Sequence, residues 1–460
     1  MGNIKILDCT LRDGGRIIDC KFTDNVIAEL TKELTEANID IVEMGFLRDN
    51  KLVQYHGNST FFTETSQLSA FLPANKRNTM YTAFIDFDMY DFSRMEKCDG
   101  SSVTGIRVGF TKKQFLQQHA ELRKSLFKVK EQGYALFMQG VNTLAYSDRE
   151  LLDVLDLVNE VEPYSYGIVD TYGGMYLDDM VHLYNLVEHN LNPDICIDIH
   201  SHNNFQLSFA FAQEIIRLAG DKRQIILDAT LNGMGKCAGN LNTELIVDFL
   251  VRKKSYDYDT DLILDAIDRY LYPIKKTNEW GYSIPAFMAG IYKAHPNNII
   301  YLTEKYRLNS KDMKYIISGI EGETRQRYDY ENIQRVYREY CASRIDDTEV
   351  ISELRSKLEN RHILILAPGK STEDFHEKIC NFIEQEAPIV ISVNFIPRQI
   401  ECDYLFYANT IHWEKISDHI DRSKCILASN IHTDTESTLL VDYSFRFVIS
   451  SYHFFAVNSS

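Results

Sequence analysis

The sequence lacks the patterns that would indicate a membrane protein or a disulfide-stabilised one. None of its apolar runs approaches the roughly 18 to 20 residues that span a bilayer, and no signal-peptide pattern precedes the first strand that we predict. Its nine cysteines are scattered, odd in number and free of CxxC pairs. Such a set is typical of reduced thiols, and not of a disulfide framework or a cysteine zinc site. We therefore expect a soluble, cytoplasmic protein with no membrane partner.

The chain also lacks an excess of positive charge. Its 49 lysines and arginines are outnumbered by 66 aspartates and glutamates, which gives a net charge of −17 at pH 7. Nucleic acids bind basic surfaces, so DNA or RNA is not expected as the main partner. With 460 residues, 45% of them hydrophobic, the chain is long enough for a large domain and a smaller one.

Short β-type runs alternate with longer helical stretches from residue 1 to about 275. This pattern is typical of βα units on a parallel sheet, and amphipathic segments at 24–38 and 148–161 each begin at a suitable N-cap. The predicted strands are 4–10, 40–46, 79–86, 105–110, 134–142, 165–171, 194–200 and 224–231. Eight parallel strands make a TIM (β/α)8 barrel, so we predict a catalytic barrel over 1–275 with its site at the carboxyl ends of the strands.

Two further regions follow the predicted barrel. Residues 276–354 have no βα rhythm and are predicted to form a helical extension. The rhythm returns over 355–460, where a strand, a glycine turn and a helix predict a small Rossmann-like α/β domain of unknown role, either binding a phosphate or serving for docking. Gly369-Lys370-Ser371 is not a P-loop, because the position of the required upstream glycine holds Leu364.

Polar residues cluster in three stretches that follow predicted strands. Arg12-Asp13-Gly14-Gly15 comes after the first apolar run, although alone it could be a surface turn with a solvated ion pair. Asp198, His200 and His202 alternate along a strand and so share one face. A glycine-rich loop over 232–240 ends in Asn240.

Together these stretches resemble the metal-dependent TIM-barrel lyases and synthases whose first strand ends in an Arg-Asp pair. That superfamily includes hydroxymethylglutaryl-CoA lyase, isopropylmalate synthase and 4-hydroxy-2-oxovalerate aldolase, and the resemblance, nearest to the aldolases, extends over about residues 1–300. It implies a divalent metal bound by Asp13, His200, His202 and Asn240. Mn²⁺ or Mg²⁺ is expected, and Co²⁺ or Zn²⁺ is also compatible with mixed oxygen and nitrogen ligands.

Other polar residues at the strand ends are candidates for catalysis or substrate binding. The catalytic candidates are Arg12 for the oxyanion, Glu43, Asp170 and His295; the substrate-binding candidates are Arg16, Arg107, Gln139 and Thr171. Structural alternatives remain open: Glu43 could simply pair with Arg12, Arg107 with Asp170, and Arg16 with Asp19 or Asp24. His295 could merely end a helix before a proline.

The expected function is that of a metal-dependent, aldolase-type carbon-carbon lyase acting on a small 2-oxo acid through a pyruvate-type enolate. An acyl-CoA condensing synthase and a non-catalytic metal-binding scaffold are the alternatives, and a homo-oligomer is possible. The 4-hydroxy-2-oxovalerate aldolases have a histidine just after the Arg-Asp-Gly turn, where this chain has Gly15 and Arg16. The general base therefore stays open, and Arg16 is predicted to select a substrate with an acidic distal group.

Overall fold

The protein is described by a computed structural model that divides into two compact units, Met1–Ile299 and Ile300–Ser460. The structure describes residues 3–306, 308, 310–327, 329–344, 348–408, 410–416, 420, 421, 424–427, 431, 439 and 440. Among the helices of these residues, none has both the length and the apolarity needed to cross a membrane. The division into 1–275, 276–354 and 355–460 stays a prediction, and the end of the last region lies outside the described residues.

The first unit is a closed parallel barrel, which confirms the predicted TIM fold. Its strands are β1 (Ile4–Asp8), β2 (Ile41–Leu47), β3 (Phe61–Phe62), β4 (Met80–Asp86), β5 (Gly105–Phe110), β6 (Ala135–Gly140), β7 (Ser165–Asp170), β8 (Cys196–Ser201) and β9 (Ile225–Ala229). The order is β1-β9-β8-β7-β6-β5-β4-β2-β3, and β1 also pairs with β2. This pairing closes eight strands into the barrel, and the short β3 adds to β2 from outside the ring.

Helices follow most strands of this unit, but between β2 and β4 and between β4 and β5 the described residues form 3-10 helices instead, such as Thr65–Phe71 and Phe92–Arg94. The α-helices are α1 (Asp24–Glu36), α2 (Lys112–Gln117), α3 (His119–Glu131), α4 (Asp148–Val161), α5 (Leu177–Asn190), α6 (Ser208–Ala219), α7 (Thr243–Lys254), α8 (Thr260–Ala266), α9 (Tyr272–Lys275) and α10 (Ile284–Tyr292). The predicted caps are present, because the Thr23 side chain accepts from the Val26 amide and Ser147 forms a capping box with Glu150. The apolar faces of these helices form one core with the outward side chains of the strands.

The barrel interior is apolar at one level and charged above it. Leu7, Ile41, Phe137, Cys196 and Ile226, from five different strands, pack together in a separate buried cluster. Strand side chains alternate, so the residues two positions further along again face inward, now at the carboxyl ends. Those positions hold Glu43, Gln139, Asp198 and Asp228, which places the polar groups just below the mouth.

The second unit contains helices and a small parallel sheet. After α11 (Pro296–Tyr306), which begins in the first unit, come α12 (Ser310–Ser318), α13 (Gly322–Arg325), α14 (Tyr330–Arg344), α15 (Thr348–Leu358), α16 (Lys370–Asp374), α17 (His376–Glu386) and α18 (Thr410–Ile416). The strands are β10 (Ile363–Leu366), β11 (Ile389–Val393), β12 (Tyr404–Tyr407), β13 (Cys425–Leu427) and β14 (Leu439–Leu440), paired in that order. A second, smaller α/β region is thus confirmed. Open α/β sheets bind nucleotides at the point where the strand order reverses. The strand order of this sheet does not reverse within the described residues, so these strands offer no such point.

Arg223 provides a test of what holds the histidine-bearing strand in place. Its buried guanidinium donates to the carbonyls of Leu191 and Ile195 at 3.1 and 2.7 Å and pairs with Glu188, tying the end of α5 to the start of β8. We expect Arg223→Ala to lower the free energy of unfolding by about 3 kcal/mol, because buried acceptors lose their donor. Urea titration measures this loss.

Arg217→Ala is the matched control. Arg217 lies on the exposed side of α6 and pairs with Glu214 alone, so its loss should cost less than about 0.5 kcal/mol. Equal losses in the two variants would contradict a structural role for Arg223.

Candidate metal centre and active site

Asp13 lies at the mouth of the barrel in the turn that follows β1. Its amide donates to the Cys9 carbonyl at 2.8 Å, and a 3-10 helix over Gly14–Ile18 begins directly after it. The two carboxylate oxygens have different surroundings. Oδ1 accepts from Arg12 Nη1 at 2.6 Å and lies 3.3 Å from Arg16 Nε, whereas Oδ2 faces the histidines.

His200 and His202 extend from the end of β8 towards Asp13. Their Nε2 atoms lie 4.0 and 3.8 Å from Asp13 Oδ2. The other ring nitrogen of His200, Nδ1, lies 2.9 Å from Asp228 Oδ2. A proton on Nδ1 therefore satisfies that carboxylate and leaves the Nε2 lone pair facing Asp13, which is the usual orientation of a metal-binding histidine.

Asn240 is brought to the same place by the glycine-rich loop after β9. It forms an isolated bridge with His202, and its Nδ2 donates to Asp13 Oδ2 at 3.0 Å. The loop can turn there because residue 239 is a glycine. Gly239 has φ +76°, and a Cβ atom on it would lie only 1.9 Å from the Gly233 carbonyl oxygen. A larger residue at 239 would displace the loop that carries Asn240.

These four side chains fit a divalent cation. The ligand atoms of Asp13, His200 and His202 all lie within 4.8 Å of one another. Two ligands that each lie about 2.1 Å from one ion are separated by at most about 4.2 Å, so binding requires only a small contraction. In addition, the buried Oδ1 of Asn240 has no hydrogen-bond partner among the described residues, which a fourth ligand would explain.

The charge states also suit metal binding. Burial opposes ionisation of Asp13, but Arg12 and the two histidines outweigh it and hold its pKa well below the ordinary value. Burial lowers the pKa of His202 to about 4, so its imidazole is neutral at neutral pH. An ionised carboxylate and a neutral imidazole are the forms that coordinate metals.

Below the mouth, the buried charges form a continuous chain of ion pairs. Arg12 Nε donates to Glu43 Oε2 at 2.6 Å, and Arg107 Nη1 lies 3.2 Å from the same oxygen. On its other side, Arg107 Nη2 lies 3.0 Å from Asp198 Oδ2 and 2.5 Å from Asp228 Oδ2. Glu43 therefore does pair with Arg12, which was one of the structural alternatives. The alternative pairing of Arg107 with Asp170 is wrong, because cross-barrel carboxylates from β2, β8 and β9 surround the guanidinium instead.

This chain of ion pairs contains more carboxylates than guanidinium groups. Asp13, Glu43, Asp198 and Asp228 face Arg12 and Arg107. Burial and the neighbouring Asp228 raise the pKa of Asp198 well above its usual range, whereas for Asp228 the charges of Arg107 and His200 outweigh burial and lower the pKa. With Asp198 protonated, the three ionised carboxylates are balanced by Arg12, Arg107 and Arg16, which also pairs with Asp13.

A cavity of about 360 Å³ opens over the ligand set. Of the predicted site residues, it is lined by Arg12, Asp13, Arg16, Gln139, Thr171, His200, His202 and His295. Glu43, Arg107, Asp170 and Asn240 do not line it. Asn240 still contacts Asp13, and Glu43 contacts Arg12, whereas Arg107 is completely buried at 0% exposure and lies one step deeper.

Asp170 and His295 have surroundings that define what they can do. Asp170 accepts from the amides of Gly174 and Met175 at 2.9 and 3.3 Å, so it fixes the loop after β7, and burial raises its pKa to about 7. His295 Nδ1 accepts from the Asn297 amide at 3.1 Å, and burial lowers its pKa to about 4. A neutral His295 therefore carries its proton on Nε2 and is a hydrogen-bond donor.

Two residues of the site were not predicted from the sequence. Asp228 holds His200, and Lys236 lines the cavity, with its Nζ donating to Asn297 Oδ1 at 3.0 Å. A signal for Asp228 was present, because a carboxylate inside the apolar run 225–229 is costly unless it is paired. Lys236 is the one charged residue of the loop over 232–240.

The barrel, the four candidate ligands and the cavity form a candidate metal site in a (β/α)8 protein. Comparisons with known proteins show which proteins this chain is similar to. The family model HMGL-like matches residues 110–269, which include His200, His202 and Asn240. The N-terminal domain of a candidate aldolase from Bacteroides vulgatus superposes with a TM-score of 0.55 at 21% identity, covering 66% of this chain and 98% of that one. At this identity the superposition shows the fold alone.

Two enzymes represent the sequence relatives. The chain is 24% identical over 318 residues to the 4-hydroxy-2-oxovalerate aldolase of Pelotomaculum thermopropionicum, covering 67% of this chain and 89% of that enzyme. It is 21% identical over 282 residues to the 2-isopropylmalate synthase of a Geobacillus species, covering 58% of this chain and 52% of that enzyme. The predicted resemblance to the metal-dependent TIM-barrel lyases and synthases is thus confirmed.

Loss of a ligand should remove the metal. We expect Asp13→Ala and His200→Ala each to lose bound Mn²⁺, because the site has only three or four protein ligands. Elemental analysis after dialysis against Mn²⁺ measures this. His189→Ala, which removes an exposed histidine near the end of α5, is the matched control and should retain the metal. Unchanged metal content in both ligand variants would rule out the proposed site.

Proposed function

We propose that the protein is a divalent-metal-dependent, aldolase-type lyase that makes or breaks a carbon-carbon bond next to a 2-oxo acid. The observation that carries this proposal is the position of Arg12, a buried cation held beside the ligand Asp13 at the edge of the cavity. The similarity to an aldolase that covers 89% of that enzyme supports the same reaction type. Pyruvate is the proposed enolate-forming unit.

Asp13, His200, His202 and Asn240 would hold the metal, expected to be Mn²⁺ or Mg²⁺. When bound, such an ion acts as a Lewis acid that polarises the carbonyl of a 2-oxo acid. The protein supplies the rest of the environment. Asp228 fixes the tautomer of His200, and the amide group of Asn240 fixes the orientation of Asp13 through its hydrogen bond.

Arg12 would stabilise the negative charge that develops on the substrate oxygen. Its guanidinium cannot swing away, because Nε binds Glu43, Nη1 binds Asp13, and its carbon lies 4.6 Å from the centre of the Phe84 ring. A fixed donor of this kind needs no reorganisation as the charge develops. Glu43 and, one step deeper, Arg107 act as positioning residues for it.

The remaining predicted residues would orient the substrate. Gln139 is fixed by donating to Asp198 at 2.7 Å, and the Thr171 hydroxyl accepts from the Asn142 amide at 2.7 Å. Asp170 holds the loop that carries Thr171. His295, with its proton on Nε2, is suited to donate a hydrogen bond to the substrate, and its Nδ1 is already engaged by Asn297. We therefore assign it hydrogen bonding and not proton abstraction.

Solvent exchange tests this proposal. The wild-type protein loaded with Mn²⁺ should exchange the methyl protons of pyruvate with deuterated water, measured by proton NMR. A condensing synthase, which the similarity to 2-isopropylmalate synthase supports, would instead exchange the acetyl protons of acetyl-CoA. If the protein exchanges the protons of neither compound, and of no other oxo acid or acyl-CoA, only the hypothesis of a non-catalytic metal-binding scaffold remains.

Arg12 variants test the oxyanion role. Arg12→Ala and Arg12→Gln should slow pyruvate exchange by about 10² to 10³, the usual cost of losing one oxyanion donor, and should retain the metal. Exchange rate and metal content are measured on the same samples. Arg123→Gln, an exposed arginine paired with Glu160, is the control and should exchange at the wild-type rate. Arg12 variants as active as the control would reduce Arg12 to a structural ion-pair partner.

The other functional expectations stay predictions. We expect a cytoplasmic location and a small-molecule partner, the oligomeric state stays open, and the acidic composition argues against nucleic acid.

A further inference from the structure

Lys236 lies in the cavity without a carboxylate partner. The residue is half-buried, and its Nζ donates to the neutral amide oxygen of Asn297 at 3.0 Å. Within the part of the chain that the structure describes, it forms no ion pair, since no carboxylate oxygen lies within 4 Å of its Nζ. A half-buried ammonium group is normally neutralised, so this one has capacity for an anion.

Arg16 lines the same cavity and is held in place. Its guanidinium carbon lies 4.6 Å from the centre of the Phe46 ring, and its Nε lies 3.3 Å from Asp13 Oδ1. The two alternative partners are engaged elsewhere, because Asp19 pairs with Lys21 and Asp24 accepts from Tyr55 and Asn58. Arg16 therefore faces the cavity and not the acidic residues that follow it in sequence.

The two cations repel each other. Burial and the neighbouring Arg16 charge lower the pKa of Lys236. The acidic residues in the cavity lining are already bound, since Asp86 lies 3.1 Å from Arg48 and Asp13 is bound by Arg12. Two like charges held together in a partly buried site are stabilised when an anion binds between them.

We propose that Arg16 and Lys236 together bind an oxyanion at the end of the substrate distal to the metal, so that the enzyme selects 2-oxo acids with an acidic tail. This inference rests on the proposed function. Arg16 offers a planar fork and Lys236 a point charge, both suited to a carboxylate or a phosphate-type group. His295, which also lines the cavity, adds a neutral donor and no further charge.

The experiment compares ligands that differ only in the distal group. Dissociation constants of 2-oxoglutarate and 2-oxovalerate, which have the same chain length, are measured by calorimetry on the Mn²⁺-loaded wild-type protein. We expect the charged ligand to bind about 10- to 100-fold more tightly. A phosphonate analogue of 2-oxoglutarate forms a third arm, and tighter binding of it than of the carboxylate would identify a phosphorylated substrate.

Variants assign the preference to its residues. Lys236→Met should weaken 2-oxoglutarate binding about tenfold and change 2-oxovalerate binding by less than about twofold. Arg16→Gln should act in the same direction, and Lys236→Arg should keep most of the preference, which also shows that the loop tolerates substitution. Lys254→Met removes an exposed lysine at the end of α7 and is the control.

Two results would overturn the inference: equal affinity of the wild-type protein for the two ligands, or equal weakening of both ligands in Lys236→Met. Failure of the proposed function is seen separately, as the absence of pyruvate exchange in the wild-type protein. Exchange without discrimination between the ligands therefore refutes the anion site alone.

Discussion

The architecture of the site depends on a chain of buried ion pairs that runs from the mouth of the barrel to its interior. Asp13, Arg12, Glu43 and Arg107 follow one another at separations of 2.6, 2.6 and 3.2 Å. Charges removed from water are costly unless each has partners, so removing one member leaves its neighbours uncompensated. The positions of these side chains are therefore set jointly, and the orientation of Arg12 at the cavity follows from contacts made well below it.

The same chain of ion pairs determines the electrostatics of the candidate metal ligands. Asp228 contacts Arg107 of this chain and also His200, so the deep network and the candidate metal site share a residue. The carboxylate and imidazole groups of Asp13, His200 and His202 suit a cation at the candidate metal site, whereas Arg16 and Lys236 suit an anion in the same cavity. A substrate with an oxo acid at one end and an acidic group at the other would match this separation of charge, and the barrel fold permits such variation because loops at its carboxyl face vary independently of the strands.

Much of this protein follows from local sequence alone. Apolar runs and turn residues predicted all eight barrel strands to within two residues at each end, because each strand is buried on both faces and reads as a continuous apolar run. The two-residue β3 was not predicted, since so short a strand has no periodicity of its own. The candidate ligands were found because Arg12-Asp13 and His200-Ser201-His202 lie at strand ends, where a barrel places its site.

Which side chains meet across the barrel was decided only by the tertiary structure. The sequence suggested Asp170 as a partner for Arg107, which is wrong, and it gave no reason to connect Asp228 with His200, since 28 residues separate them. Closure of the sheet fixes those pairs, because strand register and alternation determine which inward side chains share a level. In the same way, only the folded structure shows Lys236 beside Asn297 and lining the same cavity as Arg16. The local sequence thus determined the strands and the candidate ligands, whereas closure of the barrel determined which side chains are partners, because electrostatic contact depends on distance in space and not on separation in sequence.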